Sequence, residues 1–138
     1  MIVADTNVLS EPLRPAPSPA VLAWLKDHRH DLAMTSVSVG ELRFGVLRLP
    51  PGARRDGLTA AVEALIEGAG DRVLPYDAAA AREYGLLRAR REAVGRVVGV
   101  EDTMIAGICV ATGCQLATRN LKDFDDANLS LIDPWSYR

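Results

Sequence analysis

The sequence lacks the features that would assign it to several specialised classes of protein. No stretch of its 138 residues approaches the ~20 consecutive apolar residues that a membrane-spanning helix needs. Its amino-terminal segment has no basic region followed by a long apolar run and a cleavage site, so no secretion signal is predicted. Repeats and low-complexity tracts are absent as well. We therefore expect a cytoplasmic protein that folds as a single domain over residues 1–138.

Cysteine and net charge are also scarce. Only Cys109 and Cys114 are present, and no further cysteine or histidine lies at a spacing that suits zinc. We expect both to pack as small apolar side chains in a reducing compartment. The formal net charge of −2 does not by itself indicate a nucleic-acid-binding protein. Two arginine-rich stretches, at 43–55 and 82–96, are most simply interpreted as solvated helix faces.

Short apolar segments alternate with segments of helical periodicity. The short segments predict buried strands at 2–4, 32–34, 73–74, 116–117 and 131–132. The periodic segments predict helices over about 19–28, 37–49, 53–68, 78–91 and 101–112. The prolines from Pro12 to Pro19 predict a loop before the first of these helices. Strands that alternate with helices predict an α/β fold around a mostly parallel sheet.

Acidic residues occupy four comparable positions in these predicted elements. Asp5 directly follows the first strand, and Asp123 comes shortly after the fourth. Asp102 heads the apolar stripe of its helix, and Glu41 lies at the border of the core face of its own helix. Because ligand sites in open α/β sheets lie beyond the carboxyl ends of the strands, Asp5 can be the first carboxylate of an active site. It can also be a simple cap of the following turn.

Carboxylates that converge need a counter-charge. Two charges ~4 Å apart interact by about 4 kcal/mol at an effective dielectric of about 20. No lysine or arginine occupies a matched position among the four acids, apart from Arg119. A hard divalent cation, Mg²⁺ or Mn²⁺, suits oxygen ligands and usually takes only one or two direct carboxylates. We therefore predict Asp5 and Asp102 as metal ligands, with Glu41 and Asp123 holding water molecules of the ion.

Such a site is suited to phosphodiester hydrolysis by metal-activated water. Thr6 and Asn7 can orient the carboxylates from one side, and Thr118 and Asn120 from the other. Arg119 is a candidate phosphate clamp. The alternative interpretation is a non-catalytic binding module, because a chain with 18 acids can place several of them as helix and turn caps.

The residues that carry this chemistry also resemble a known family. In chain order they are Asp5-Thr6-Asn7, Val39-Gly40-Glu41-Leu42-Arg43-Phe44-Gly45, Asp102-x-x-Ile105-Ala106 and Thr118-Arg119-Asn120-x-x-Asp123-Phe124. This order resembles the PIN-domain ribonucleases, and among them the VapC toxins of bacterial toxin–antitoxin pairs. The stretch 5–15 and the closing Asp133-Pro134-Trp135 are similar to the FitB-type branch. The resemblance covers almost the whole chain.

The resemblance implies a three-layer α/β/α sandwich, RNA cleavage that depends on Mg²⁺ or Mn²⁺, a homodimer and neutralisation by a small VapB- or FitA-like antitoxin. Carried over by position, three residues match the core acids of the family: Asp5, Glu41 and Asp102. For the fourth acid we favour Asp123, with Asn120 as its polar neighbour. Some FitB-like proteins instead carry an aspartate where this chain has Asn120. Helical phase favours Asp102 over the adjacent Glu101.

A net-negative protein can still bind RNA through basic residues around an acidic pocket. The predicted RNA-binding residues are Arg43, Arg48, Arg54, Arg55, Arg88 and Arg119. A competing prediction is a phosphatase of the haloacid dehalogenase type with Asp5 as nucleophile. That class needs a second acid where this chain has Asn7, and it needs a catalytic lysine, of which Lys26 and Lys122 are the only candidates. The motifs do not encode which RNA is cleaved.

Overall fold

Five short parallel strands form the centre of the molecule, which a computed structural model describes over residues 1–138. The strands are β1 (Ile2–Ala4), β2 (Leu32–Thr35), β3 (Val73–Leu74), β4 (Gln115–Ala117) and β5 (Leu131–Ile132). They lie in the order β3-β2-β1-β4-β5, and every pairing is parallel. In β1, Ile2 lies opposite Leu32 of β2, and Ala4 lies opposite Ala117 of β4.

Six α-helices connect the strands. They are α1 (Thr6–Ser10), α2 (Pro19–His28), α3 (Ser36–Leu47), α4 (Ala53–Ala69), α5 (Ala78–Ala93) and α6 (Val100–Thr112). The side chains of Ser18, Thr35 and Asp77 accept backbone N–H groups at the starts of α2, α3 and α5. The bounds of α2 to α6 agree with the predicted ones to within two residues. None of the helices is long and apolar enough to cross a lipid bilayer.

Two short helical turns after β1 were not predicted, whereas the predicted loop is present over residues 14–18. The helix α1 begins directly after Asp5, and a 3-10 turn over Glu11–Leu13 follows it. Asp5 Oδ1 accepts the N–H of Thr6, and Pro12 fits the first turn of a helix, where its missing N–H is not needed. Glu11 is buried, and its carboxylate accepts the N–H of Ser18. This hydrogen bond ties the remaining loop to the start of α2.

Alternate residues of β1 face two separate apolar cores. Ile2 and Ala4 pack in a core with residues of α1 to α4, which includes the fully buried Trp24. Val3 faces the opposite core, together with Ile105 and other residues of α5 and α6. Helices therefore cover both faces of the sheet, and the three-layer α/β/α sandwich is confirmed.

Both cysteines lie in the core formed with α5 and α6. Cys109 and Cys114 are free and buried, as predicted. Burial raises the pKa of the Cys109 thiol well above its ordinary value, so it stays uncharged.

The direction of the chain across the sheet reverses at β1. The chain runs outward from β1 to β2 and β3, and then returns through α5 and α6 on the opposite face to β4. In open α/β sheets such a reversal leaves a crevice beyond the carboxyl ends of the two central strands. Asp5 follows β1 and Thr118 follows β4, so both residues lie at this crevice.

The contact between α5 and α6 generates a stability prediction. A Cβ atom at Gly107 of α6 would lie 2.6 Å from the backbone oxygen of Ala80. Since backbone atoms cannot move aside as a flexible side chain does, Gly107→Ala should lower the free energy of unfolding by about 1–3 kcal/mol. Urea denaturation measures this change. The control is Gly85→Ala in α5, where a Cβ meets nothing within 4 Å and alanine should stabilise the helix. Equal stability of Gly107→Ala and wild type would contradict the close approach.

Candidate active site

The carboxylate of Asp5 is buried and held by two hydrogen bonds. Its residue is 2% exposed. Oδ1 accepts the backbone N–H of Thr6 at 2.8 Å, and Oδ2 accepts the hydroxyl of Thr118 at 2.9 Å. Burial raises the pKa of Asp5 more than these hydrogen bonds lower it, and the charge of Asp123 raises it further. Asp5 is therefore both the cap of α1 and a candidate active-site carboxylate. Its hydrogen bond to the first N–H of α1 fixes the orientation of the carboxylate.

A chain of hydroxyl groups leads from β2 to Glu41. Thr6 Oγ1 donates to Glu41 Oε1 at 2.7 Å and lies 2.8 Å from the hydroxyl of Ser38. Since Thr6 has a single hydroxyl proton, Ser38 is the donor in the second bond. Ser38 is fully buried, and its N–H donates to Thr35 Oγ1 at 3.1 Å. Burial raises the pKa of Glu41, and the charge of Asp5 contributes to the rise.

Asp102 lies in the first turn of α6 and is half-buried. Burial, together with the charges of Asp5, Asp123 and Glu41, raises its pKa from 3.8 to about 6. The adjacent Glu101 is exposed, as helical phase predicted. Asp102 is therefore the half-buried residue of this pair, while the charge of the exposed Glu101 also raises the pKa of Glu41.

The predicted acids thus come together, from β1, α3, α6 and the 3-10 turn over Leu121–Asp123. None of the four forms a salt bridge with an arginine, lysine or histidine. Their hydrogen-bond donors are neutral hydroxyl and N–H groups. The site therefore keeps an uncompensated negative charge, which favours a cation.

The acids are near neighbours without forming a closed metal cage. No group of three His, Cys, Asp or Glu side chains is placed to hold one ion between them. Mg²⁺ does not require such a group, because it usually binds one or two carboxylates and keeps several waters. Each oxygen of Asp5 accepts a single hydrogen bond and retains a lone pair. The donor set therefore fits a hydrated hard cation with one or two direct protein ligands.

The residues predicted to orient the acids differ in their contacts. Thr6 and Thr118 hydrogen-bond to acids directly. Asn120 is half-buried, and its N–H donates to Thr118 Oγ1 at 3.1 Å, which leaves the hydroxyl proton of Thr118 for Asp5. Asn7 is exposed, and no hydrogen bond joins its side chain to an acid. The orienting role of Asn7 stays a prediction without a supporting contact.

Comparison with known proteins places this arrangement in a family. The model of the PIN domain matches residues 2–128. The chain belongs to the PIN-domain family. VapC ribonuclease Y4jK of Sinorhizobium fredii is 40% identical to it over 137 residues, which are 98% of each chain. Toxin FitB of Neisseria gonorrhoeae is 34% identical over 98% of this chain and 99% of that protein. The crystal structure of FitAcB from the same organism matches with a TM-score of 0.92 and 33% identity over 99% of both chains. The resemblance to VapC and FitB proteins is confirmed.

Four of the arginines predicted to bind RNA lie on or near the turn between α3 and α4 of this PIN domain. Arg43 forms a bidentate pair with Glu63, with both N–O distances at 2.8 Å. Arg48, Arg54 and Arg55 form no salt bridge. The charge of Arg43 is therefore already partnered, whereas the charges of the other three are available.

The remaining two predicted arginines flank the site on other elements. Arg88 of α5 donates to the hydroxyl of Tyr84 at 2.6 Å and lines a cleft of about 310 Å³ beside the start of α6. Arg119 directly follows Thr118 and is exposed. Its guanidinium carbon lies 5.0 Å from the centre of the Trp135 ring, a cation–π contact that leaves its N–H groups free.

Two residues that contact this site escaped prediction. Ser38 alternates with valines at the start of α3, and a polar residue in an apolar stretch is a signal of a buried hydrogen bond. Arg91 was grouped with an exposed arginine-rich stretch, but it is 2% exposed, so that interpretation is wrong for Arg91. Helical phase could have found it, because Arg91 lies four residues after Leu87 on the core face of α5, whereas Arg90 does not. Its partner Asp126 lies 35 residues away.

The raised pKa of Asp102 predicts a pH-dependent stability change in the metal-free PIN domain. Because the folded protein holds the Asp102 proton up to about pH 6 and the unfolded chain releases it near 3.8, stability is lost as the pH rises through this window. Asp102→Asn should therefore stabilise the metal-free protein above pH 7, by about 1 kcal/mol after allowance for solvent screening, and give no gain near pH 4.

The matched control is Glu101→Gln, which lies in the same helical turn and loses the same interaction with the helix dipole. Urea denaturation in the presence of a chelator measures both variants. Asp102→Asn should exceed Glu101→Gln in stability above pH 7, and the difference should vanish at low pH. A difference that is constant with pH would contradict the raised pKa of Asp102.

Proposed function

We propose that this PIN domain is an endoribonuclease toxin that hydrolyses RNA phosphodiester bonds with Mg²⁺ or Mn²⁺. The observation that carries the proposal is the convergence of four carboxylates without a cationic partner at the crevice of the sheet. When bound, the ion supplies Lewis-acid activation of the scissile phosphate and of water. The similarity to VapC ribonuclease Y4jK of Sinorhizobium fredii supports the choice of RNA as substrate.

Each acid of the site has its own proposed role. Asp5 and Asp102 are the proposed direct ligands, and Thr6 and Thr118 fix the carboxylate of Asp5 before an ion arrives. Glu41 accepts a proton from the attacking water, because its raised pKa makes it a better base than an exposed glutamate. Asp123 orients water at the opposite side of the cluster.

The arginines without a carboxylate partner are the proposed substrate-binding residues. Arg119 is the proposed phosphate clamp, because its contact with Trp135 orders the guanidinium without neutralising it. Arg48, Arg54, Arg55 and Arg88 extend the basic rim. Arg43 must release Glu63 before it can bind phosphate. Contacts of this type make RNA affinity fall as salt rises.

The competing interpretations have less support. A phosphatase of the haloacid dehalogenase type needs a second acid where this chain has the exposed Asn7, and no lysine hydrogen-bonds to Asp5. In a non-catalytic module, capping would explain Asp5 alone. It would not explain why the charges of Asp5, Asp123 and Glu41 all lie close enough to raise the pKa of Asp102.

Metal binding gives the first test of the proposal. Mn²⁺ or Mg²⁺ should raise the Tm of the wild-type protein, since a ligand at about 100 times its Kd contributes about 2.7 kcal/mol. Asp5→Asn should remove this gain and abolish RNA cleavage, while its fold is retained because asparagine can still cap α1. The control is Asp71→Asn, an exposed acid just before β3. It lies at the amino end of an edge strand, whereas the site lies beyond the carboxyl ends of the central strands. A wild type whose Tm is unchanged at millimolar metal would overturn the metal-dependent mechanism.

We also propose a cognate antitoxin of the VapB or FitA type and a homodimeric toxin, as the similarity to toxin FitB supports. The acidic crevice suits an arginine of the antitoxin. Phe44 and Leu47 of α3 are 65% and 60% exposed, and they suit the apolar face of an antitoxin helix.

The antitoxin proposal predicts a stable complex when the chain is co-expressed with the adjacent upstream reading frame. Affinity purification of one product should retain the other. Phe44→Asp should weaken retention, because a charge would be buried against apolar surface. Val97→Asp, at a 97% exposed position next to α6, should not weaken it. Separate elution of the two wild-type products would count against this partner.

A further inference from the structure

The guanidinium of Arg91, in the last turn of α5, is buried, and each of its three nitrogens donates at least one hydrogen bond. Nε and Nη2 donate to the carboxylate of Asp126 at 3.0 and 2.9 Å. Nη1 donates to Thr103 Oγ1 at 3.0 Å. Nη2 also donates to the backbone carbonyl of Asp123 at 2.6 Å. This one side chain therefore connects α5 with two other segments, the start of α6 and the turn over residues 123–126.

Two of these segments carry acids of the active site. Thr103 directly follows Asp102, and its hydroxyl donates to the carbonyl of Gly99, where α6 begins. Asp123 ends the 3-10 turn, and Arg91 binds its backbone rather than its carboxylate. Arg91 thus fixes the backbone on which both acids are carried and leaves their side-chain charges untouched.

The charge of Arg91 is balanced by Asp126, which is not one of the four acids of the site. Its hydrogen bonds hold the pKa of Asp126 below the ordinary range, and Asp126 also pairs with Arg96. A buried ion pair adds little net stability, because desolvation offsets the attraction. A planar guanidinium does, however, fix its partners in direction as well as in distance. Such rigidity matters where two acids must be kept in one arrangement.

We propose that Arg91 is a positioning residue, which holds Asp102 and Asp123 in the arrangement that binds the metal ion. The inference rests on the proposed metal-dependent function and extends it to a residue outside the acid cluster. Residues that orient metal ligands in this way typically change metal affinity by about 10–100-fold when they are replaced.

Arg91→Lys tests the proposal without changing the charge near the metal. One ammonium group cannot reach Asp126, Thr103 and the carbonyl of Asp123 together. Electron paramagnetic resonance should show a Kd for Mn²⁺ that is raised by about 10-fold or more, at a temperature where circular dichroism shows a folded protein. With a fluorogenic RNA oligonucleotide, kcat should fall while KM stays unchanged. The control is Arg90→Lys, an exposed neighbour, which should bind Mn²⁺ as the wild type does.

Thr103→Val tests the positioning role of Arg91 if Arg91→Lys does not fold. Valine keeps the shape of threonine but removes the acceptor for Nη1 and the hydroxyl bond to the Gly99 carbonyl, through which Arg91 is joined to the start of α6, so Mn²⁺ binding should again weaken. If the folded variants bind Mn²⁺ as tightly as the wild type, the proposal is overturned, even if their Tm is lower. Wild-type protein that binds no Mn²⁺ would instead overturn the proposed function, and this inference with it.

Discussion

Mutual repulsion among uncompensated carboxylates is the constraint on which the rest of this structure depends. Asp5 stays in place because β1 is packed between two apolar cores, with Ile2 and Ala4 on one face and Val3 on the other. Burial of apolar surface is the dominant favourable term in folding, and here it offsets the electrostatic cost of the site. An acid on a mobile loop could relieve the repulsion by moving away. An acid at the end of a central strand cannot.

The acids of the site accept hydrogen bonds from neutral donors, whereas the buried guanidinium of Arg91 binds other groups. Hydroxyl groups of Thr6 and Thr118 orient Glu41 and Asp5 without cancelling their charge. An arginine at either position would neutralise the carboxylate and compete with a metal ion. Arg91 is instead bound to Asp126 and to a backbone carbonyl. The negative charge of the site is thus preserved while its geometry is fixed from both sides.

The sequence predicts those parts of the structure that depend on short-range patterns. Apolar runs identify the strands, and helical phase distinguishes Asp102 from Glu101, because both signals repeat within a few residues. The turn over Glu11–Leu13 was missed because Pro12 was interpreted as a break rather than as a first-turn residue, and α1 was missed because five residues are too few to show helical periodicity. Helical phase places Arg91 on the same face of α5 as Leu87, but its partner Asp126 lies 35 residues away, and periodicity contains no information about that partner. Only the fold brings the two together.

The contrast between Arg91 and Arg119 shows why net charge is a poor guide to binding in this chain. Both are arginines close to the same acids, but Arg91 is 2% exposed and its charge is paired with Asp126. Arg119 is exposed over Trp135 and has no carboxylate partner. The formal charge of −2 counts the two equally. A phosphate responds only to the charge that remains free at the surface, so the arginines without partners decide where an anionic substrate can bind.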